Sequence, residues 1–228
     1  MYQPMLYLHW KQIRVGLIPF VIASFGLPLM AIDGVGAPPG ADGTMLGAYH
    51  FIASVQPWLI FFPVLAGAIG AMLALSAWNW DHRHDHVYAL SLPVTRWEYV
   101  TLKMGAGASL ATLPAAALWL GAHMAAASIT LPVGLHAYPN QLALRFLLAI
   151  LLSYAVLFAM AAGTIRTTLW VVSIAAGLIV FGAVATDLLG GFYDLFDRTN
   201  VVLVALQWLT RAPGPFEVFT GNWSLIDV

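Results

Sequence analysis

Asp81, His82, His84, Asp85 and His86 stand together in one short segment, the densest set of metal-ligating side chains in the chain. Imidazole and carboxylate both suit zinc or nickel. In an extended segment His82, His84 and His86 share a side, whereas on a helix only pairs such as His82 with Asp85 or His86 meet. That spacing fits a solvated loop better than a metal centre, so no metal site is assigned. A second set, His123, Arg145 and Asp187, falls near the ends of long apolar stretches. Ionisable groups at such depth face a bundle interior and seek partners. Arg145 with Asp187 is the natural polar pair, with His123 nearby. A structural ion pair is the expected role, and part of an outer gate or substrate path the alternative.

Other chemistries find no residues to carry them. Only two lysines occur, Lys11 before Gln12 and Lys103 before Met104, so no G-x-x-x-x-G-K-[ST] phosphate loop exists. Cysteine is absent, which removes disulfides, thiolate nucleophiles and sulfur-ligated zinc. No paired carboxylates, serine-histidine arrangement or zinc-protease helix stands in a context for catalysis. The chain is read as a non-enzyme without a cofactor. A net charge of -1 and a pI near 6.6 leave no basic surface for nucleic acid.

The elements that hold these residues are set by hydropathy. Charged residues make up 8% of the 228, against about 25% in soluble domains, and the mean hydropathy is +0.84. Lipid must therefore surround most side chains. About 20 apolar residues cross a bilayer as a helix, which selects five spans: Val15 to Ile32, Phe51 to Trp78, Leu102 to Ser128, Leu142 to Ala162 and Leu169 to Leu189. Uninterrupted apolar runs exclude a barrel's alternation, so the expected fold is an all-α polytopic bundle. Ahead of the first span, residues 1 to 14 place Gln3, Tyr7, Lys11 and Arg14 on one helical face and Tyr2, Met5, Leu6, His9 and Ile13 on the other. Such a helix is expected to lie at the membrane surface, with Tyr7 and Trp10 among lipid headgroups. Its length and aromatics argue against a cleaved signal peptide.

Six of the nine basic residues, Lys11, Arg14, Arg83, Arg96, Lys103 and Arg166, fall on one side of these spans. Seven of the ten acids, Asp33, Asp42, Asp187, Asp194, Asp197, Glu217 and Asp227, fall on the other. Cytoplasmic loops carry the basic excess, which places the N-terminus in the cytoplasm and residues 190 to 228 outside. Richness in Ala, Gly and Leu points to a bacterial source and hence a bacterial cytoplasmic (inner) membrane.

The only strongly polar connection runs from Trp78 to Gly107. Within it, Thr95 followed by Glu98 is a capping box, since each side chain can bond the other's backbone N-H. The third helix is expected to begin near Arg96, with Trp97 and Tyr99 at the interface and Lys103 snorkelling. The segment LSLPVTRWEYVTLK, Leu90 to Lys103, resembles the first cytoplasmic loop of permease subunits of type-2 ATP-binding-cassette (ABC) transporters. Those subunits show L-x-x-L-P-[VI]-[ST]-R, an aromatic and a nearby lysine between spans two and three. The surface helix, the long first external loop and the tight Gly163 to Thr168 connection also resemble the family, over about the first 190 residues.

The resemblance implies a conduit that pairs with a second permease subunit and docks a separate ATPase subunit on its cytoplasmic face. Asp81 to Arg96 would be the coupling element. Val87, Tyr88, Leu90 and Leu92 would enter a groove of the ATPase, while Asp81, Arg83, Asp85 and Arg96 would supply polar contacts around it. The family has six spans; here only Val201 to Leu209 follows the fifth, which reads as a truncated or reduced member. The rival expectation is a non-catalytic accessory subunit of a larger membrane complex, such as a bioenergetic one.

Overall fold

The computed structural model describes residues 2–33, 52–83, 95–129, 131, 134–163, 170, 173, 214 and 216–227. It divides into two compact units, Met1–Phe158 with Asn222–Val228, and Ala159–Gly221. The first unit contains four helices long and apolar enough to cross a membrane: Tyr2–Ile32, Ile52–Asn79, Arg96–Ala127 and, reaching its boundary, Pro139–Ala161. The expected fifth span, 169 to 189, lies outside the described residues apart from Trp170 and Ser173.

Helix α1 is a single run, Tyr2–Asp33. Residues 2 to 14, expected along the membrane surface, therefore continue into the first span without a break. The two-faced pattern still decides the packing: His9, Ile13 and Leu17 are buried, whereas Tyr7, Lys11 and Arg14 are exposed. Helix α2, Phe61–Arg83, follows a short 3-10 turn at Gln56–Trp58, where Pro57 supplies the bend. It extends five residues beyond Trp78, the expected end of the span.

Thr95 caps the third span as its sequence implies. Its hydroxyl accepts from the Glu98 N-H at 3.3 Å, and the Glu98 carboxylate accepts from the Thr95 N-H at 3.1 Å. That span comprises α3, Arg96–Leu110, and α4, Thr112–Ala127, with Ala111 still near helical dihedrals between them. Pro114 accounts for the interruption, because it has no N-H to offer the Leu110 carbonyl one turn back. Helix α5, Pro139–Ala161, opens on proline, where a missing N-H costs no helical hydrogen bond.

Close crossings hold these helices together. A methyl group on Gly121 of α4 would stand 2.1 Å from the Phe25 carbonyl oxygen of α1, and one on Gly70 of α2 would stand 2.9 Å from the Ile150 carbonyl of α5. Without a hydrophobic force between helices in lipid, close packing of this kind and interhelical hydrogen bonds supply their attraction. Leu17, Phe62, Ile69, Leu73, Leu118, Phe146, Ile150 and Tyr154 fill the interior.

A small antiparallel ladder adds to the all-helical expectation. Strand β1, His136–Ala137, pairs with β2, Ile226–Asp227, in register His136 to Asp227 and Ala137 to Ile226. Gly134, at φ +91°, turns the chain ahead of β1 in a conformation other residues rarely adopt. Trp223 stacks on Phe62, with 6.4 Å between centroids and 3° between planes, and so fastens these C-terminal residues to α2. In the second unit the described residues include α6, Glu217–Thr220, a single turn closed by the Gly221 N-H on the Glu217 carbonyl at 2.9 Å.

Candidate functional site

The most polar part of the first unit's interior lies where α2 ends and α3 begins. Trp78 and Asp81 are three residues apart on α2, and Tyr99 and Lys103 four apart on α3, so each pair shares one helical face. The two faces meet. Asp81 and Lys103 form a buried ion pair through Oδ2 and Nζ. The Tyr99 hydroxyl lies 3.1 Å and 3.0 Å from the two carboxylate oxygens of Asp81, donating its one proton there, and accepts from Lys103 at 3.2 Å. The Lys103 ammonium also stands 4.3 Å from the centre of the Trp78 ring and 5.0 Å from that of Tyr99.

Burying two charges is costly unless their remaining hydrogen-bonding capacity is met. Here the phenol and the indole face supply that compensation, and no buried side-chain nitrogen or oxygen among the described residues lacks a partner. The surrounding rings are themselves held. Trp78 donates its indole N-H to the Phe158 carbonyl at 3.1 Å and packs 5.1 Å from the Phe158 ring. Tyr154 donates to the Met104 carbonyl at 3.2 Å, its ring filling the space that Gly107 leaves open.

Helix α1 closes a third side. Ser76 lies within hydrogen-bonding distance of the Leu73 carbonyl at 2.9 Å and of His9 Nε2 at 3.2 Å. A cleft of about 20 Å³, room for one water molecule, runs between Met5, Leu8, His9 and Gln12 of α1 and the Asp81–Lys103 pair.

The expected coupling residues are distributed unevenly around this cluster. Asp81, expected in the connecting loop, lies inside α2 and is 1% exposed, with Lys103 supplying its counter-charge. Arg83 ends α2, and Arg96 begins α3 with its side chain exposed. The side chains of His82 and Arg83, and residues His84, Asp85, His86, Val87, Tyr88, Leu90 and Leu92, lie outside the described residues. Among the described residues no three metal-ligating groups converge.

Arg145 is drawn to the C-terminal residues. It donates to the Asn222 carbonyl at 2.6 Å, and its guanidinium lies 5.6 Å from the centre of the Trp223 ring. Its expected partner Asp187 lies outside the described residues. His123 is half-buried on α4, with Nδ1 2.9 Å from the Trp119 carbonyl and its ring 4.5 Å from that of Trp119. Sequence reasoning passed over the Asp81–Tyr99–Lys103–Trp78 cluster. Its available signal was opposite charges at adjoining ends of consecutive spans, each accompanied by an aromatic one turn away.

Comparison of the chain with protein-family models, curated proteins and solved structures finds no match.

Proposed function

We propose that the chain is the membrane-spanning permease subunit of an ABC-type exporter, seated in a bacterial cytoplasmic membrane and driven by ATP hydrolysis on a separate subunit. The observation that carries this reading is the clamp at the base of the 84 to 94 connection. Asp81 on one side and Tyr99 with Lys103 on the other fasten α2 to α3, and the Thr95–Glu98 box secures the start of α3. A partner pressing on that connection would move two helices as one body, which is what converting a distant hydrolysis step into helix motion requires. The likeness of Leu90 to Lys103 to a permease coupling loop supports the same assignment, with Val87, Tyr88, Leu90 and Leu92 as the inserted residues and a second permease subunit completing the conduit.

Purification from native membrane, followed by identification of stoichiometric partners, tests the proposal. Recovery with an ATPase bearing a phosphate loop is the expected result, together with loss of that ATPase when Tyr88 and Leu90 are both changed to Asp. Recovery in an unrelated membrane complex, with no ATPase, would overturn it in favour of an accessory subunit.

A further inference from the structure

The ion pair at the α2–α3 junction has the makeup of a ligand site already occupied. We propose that Asp81, Tyr99 and Trp78 form a binding site for a primary organic ammonium, and that Lys103 is its tethered resident. Each wall keeps at least one contact that does not involve Lys103. Trp78 is held by the Phe158 carbonyl and ring, and the Tyr99 phenol by the Asp81 carboxylate. An ammonium placed there meets a carboxylate, a phenol oxygen and an indole face, which together are the chemistry that recognises an organic cation in a dry environment. An anion would meet the Asp81 charge. Among the described residues no three metal-ligating groups converge to hold a metal ion.

The cleft beside α1 gives this site a mouth. Met5, Leu8, Ala77 and Ala106 form apolar walls leading to Lys103 and Asp81; the cleft as it stands has room for a single water, and removal of the Lys103 stem opens it to a short alkyl chain entering with its charge foremost. Two sources of R-NH3+ reach such a position, a soluble amine and the headgroup of an aminophospholipid. A tethered competitor acts at an effective concentration of millimolar order or higher, so Lys103 keeps free amines out while it is in place. This inference stands on the cluster alone and does not depend on the exporter reading.

Lys103→Ala removes a three-carbon stem and its ammonium, the size of n-propylammonium. The purified full chain, in phosphatidylcholine nanodiscs, is titrated with n-propylammonium chloride against sodium chloride of equal ionic strength, with the thermal midpoint as readout. The Lys103→Ala protein is expected to be stabilised saturably, with apparent affinity at least about tenfold above that of the unaltered chain. The Asp81→Asn/Lys103→Ala protein is expected not to respond. Replacing part of the lipid by phosphatidylethanolamine supports the site in both cases: weakened propylammonium binding assigns the lipid headgroup as a source, and unchanged binding assigns the soluble amine. If Lys103→Ala aggregates, monodisperse recovery only when propylammonium is present during purification supports the site. No response in Lys103→Ala, an equal response in the double variant, or aggregation regardless of propylammonium overturns it.

Discussion

Asp81 and Lys103 are each tolerable inside the bundle only because of the other. Replacing one partner leaves an uncompensated buried charge, so Asp81→Asn and Lys103→Met are each expected to destabilise the protein by about 3–5 kcal/mol. The double variant, neutral at both positions, is expected to recover most of that loss. A double-mutant cycle on unfolding in detergent checks this, and additive single effects would refute direct coupling. The sequence placed Lys103 close to the membrane interface but assigned Asp81 to a partner surface. A charge after an apolar run reads as the end of a helix, and nothing local discloses that its counter-charge lies 22 residues away. The Thr95–Glu98 box was legible because both halves of its hydrogen-bonding act within one turn.

The helices depend on two local devices of different kinds. Thr95→Ala removes a cap and is expected to cost about 1 kcal/mol, read as a lower thermal midpoint with unchanged helix content. Glycine crossings are the second device. Gly121→Ala would drive a methyl group into the Phe25 backbone, and Gly70→Ala into Ser153 Oγ at 1.9 Å and the Tyr154 amide nitrogen at 2.8 Å. Each is expected to destabilise by about 1–3 kcal/mol through forced separation of helices. Gly67→Ala, with nothing within 4 Å of the added carbon, is the control expected to be neutral or slightly stabilising. A drop in midpoint as large at Gly67 as at Gly121 would refute the role given to the crossings. Gly70 and Ala74 lie four residues apart on α2, a spacing that a sequence can display, and both are buried. The partner of Gly121 is the backbone of a helix nearly a hundred residues earlier, which no periodicity reports.

Four apolar helices make the described part of the chain a multi-pass candidate, and the lopsided distribution of Lys and Arg is the ground for the proposed cytoplasmic N-terminus. With no native cysteine, single reporters give an unambiguous reading. Trp97→Cys, at a position 75% exposed at the start of α3, is expected to react with a membrane-impermeant maleimide only after cells are opened. His136→Cys, on exposed β1, is expected to react in intact cells. Reversed labelling would invert the topology and remove the basis for a cytoplasmic coupling loop. The spans were legible because lipid imposes a length and a composition on each segment separately. How they meet was not, since in lipid a leucine facing a neighbour and one facing an acyl chain satisfy the same requirement.

Helix α1, at 32 residues, is about 48 Å long, whereas the hydrocarbon layer of a bilayer is about 30 Å. The surplus must be taken up by tilt or by turns standing among the headgroups. Gly121 grips α1 at Phe25 near one end, while near the other Tyr2 donates to Ser109 at 3.0 Å and His9 meets Ser76 at 3.2 Å, beside the cleft that His9 and Gln12 border. Longer acyl chains would draw α1 upright and shorter ones would tip it, so a change of bilayer thickness would load the attachments at both of its ends.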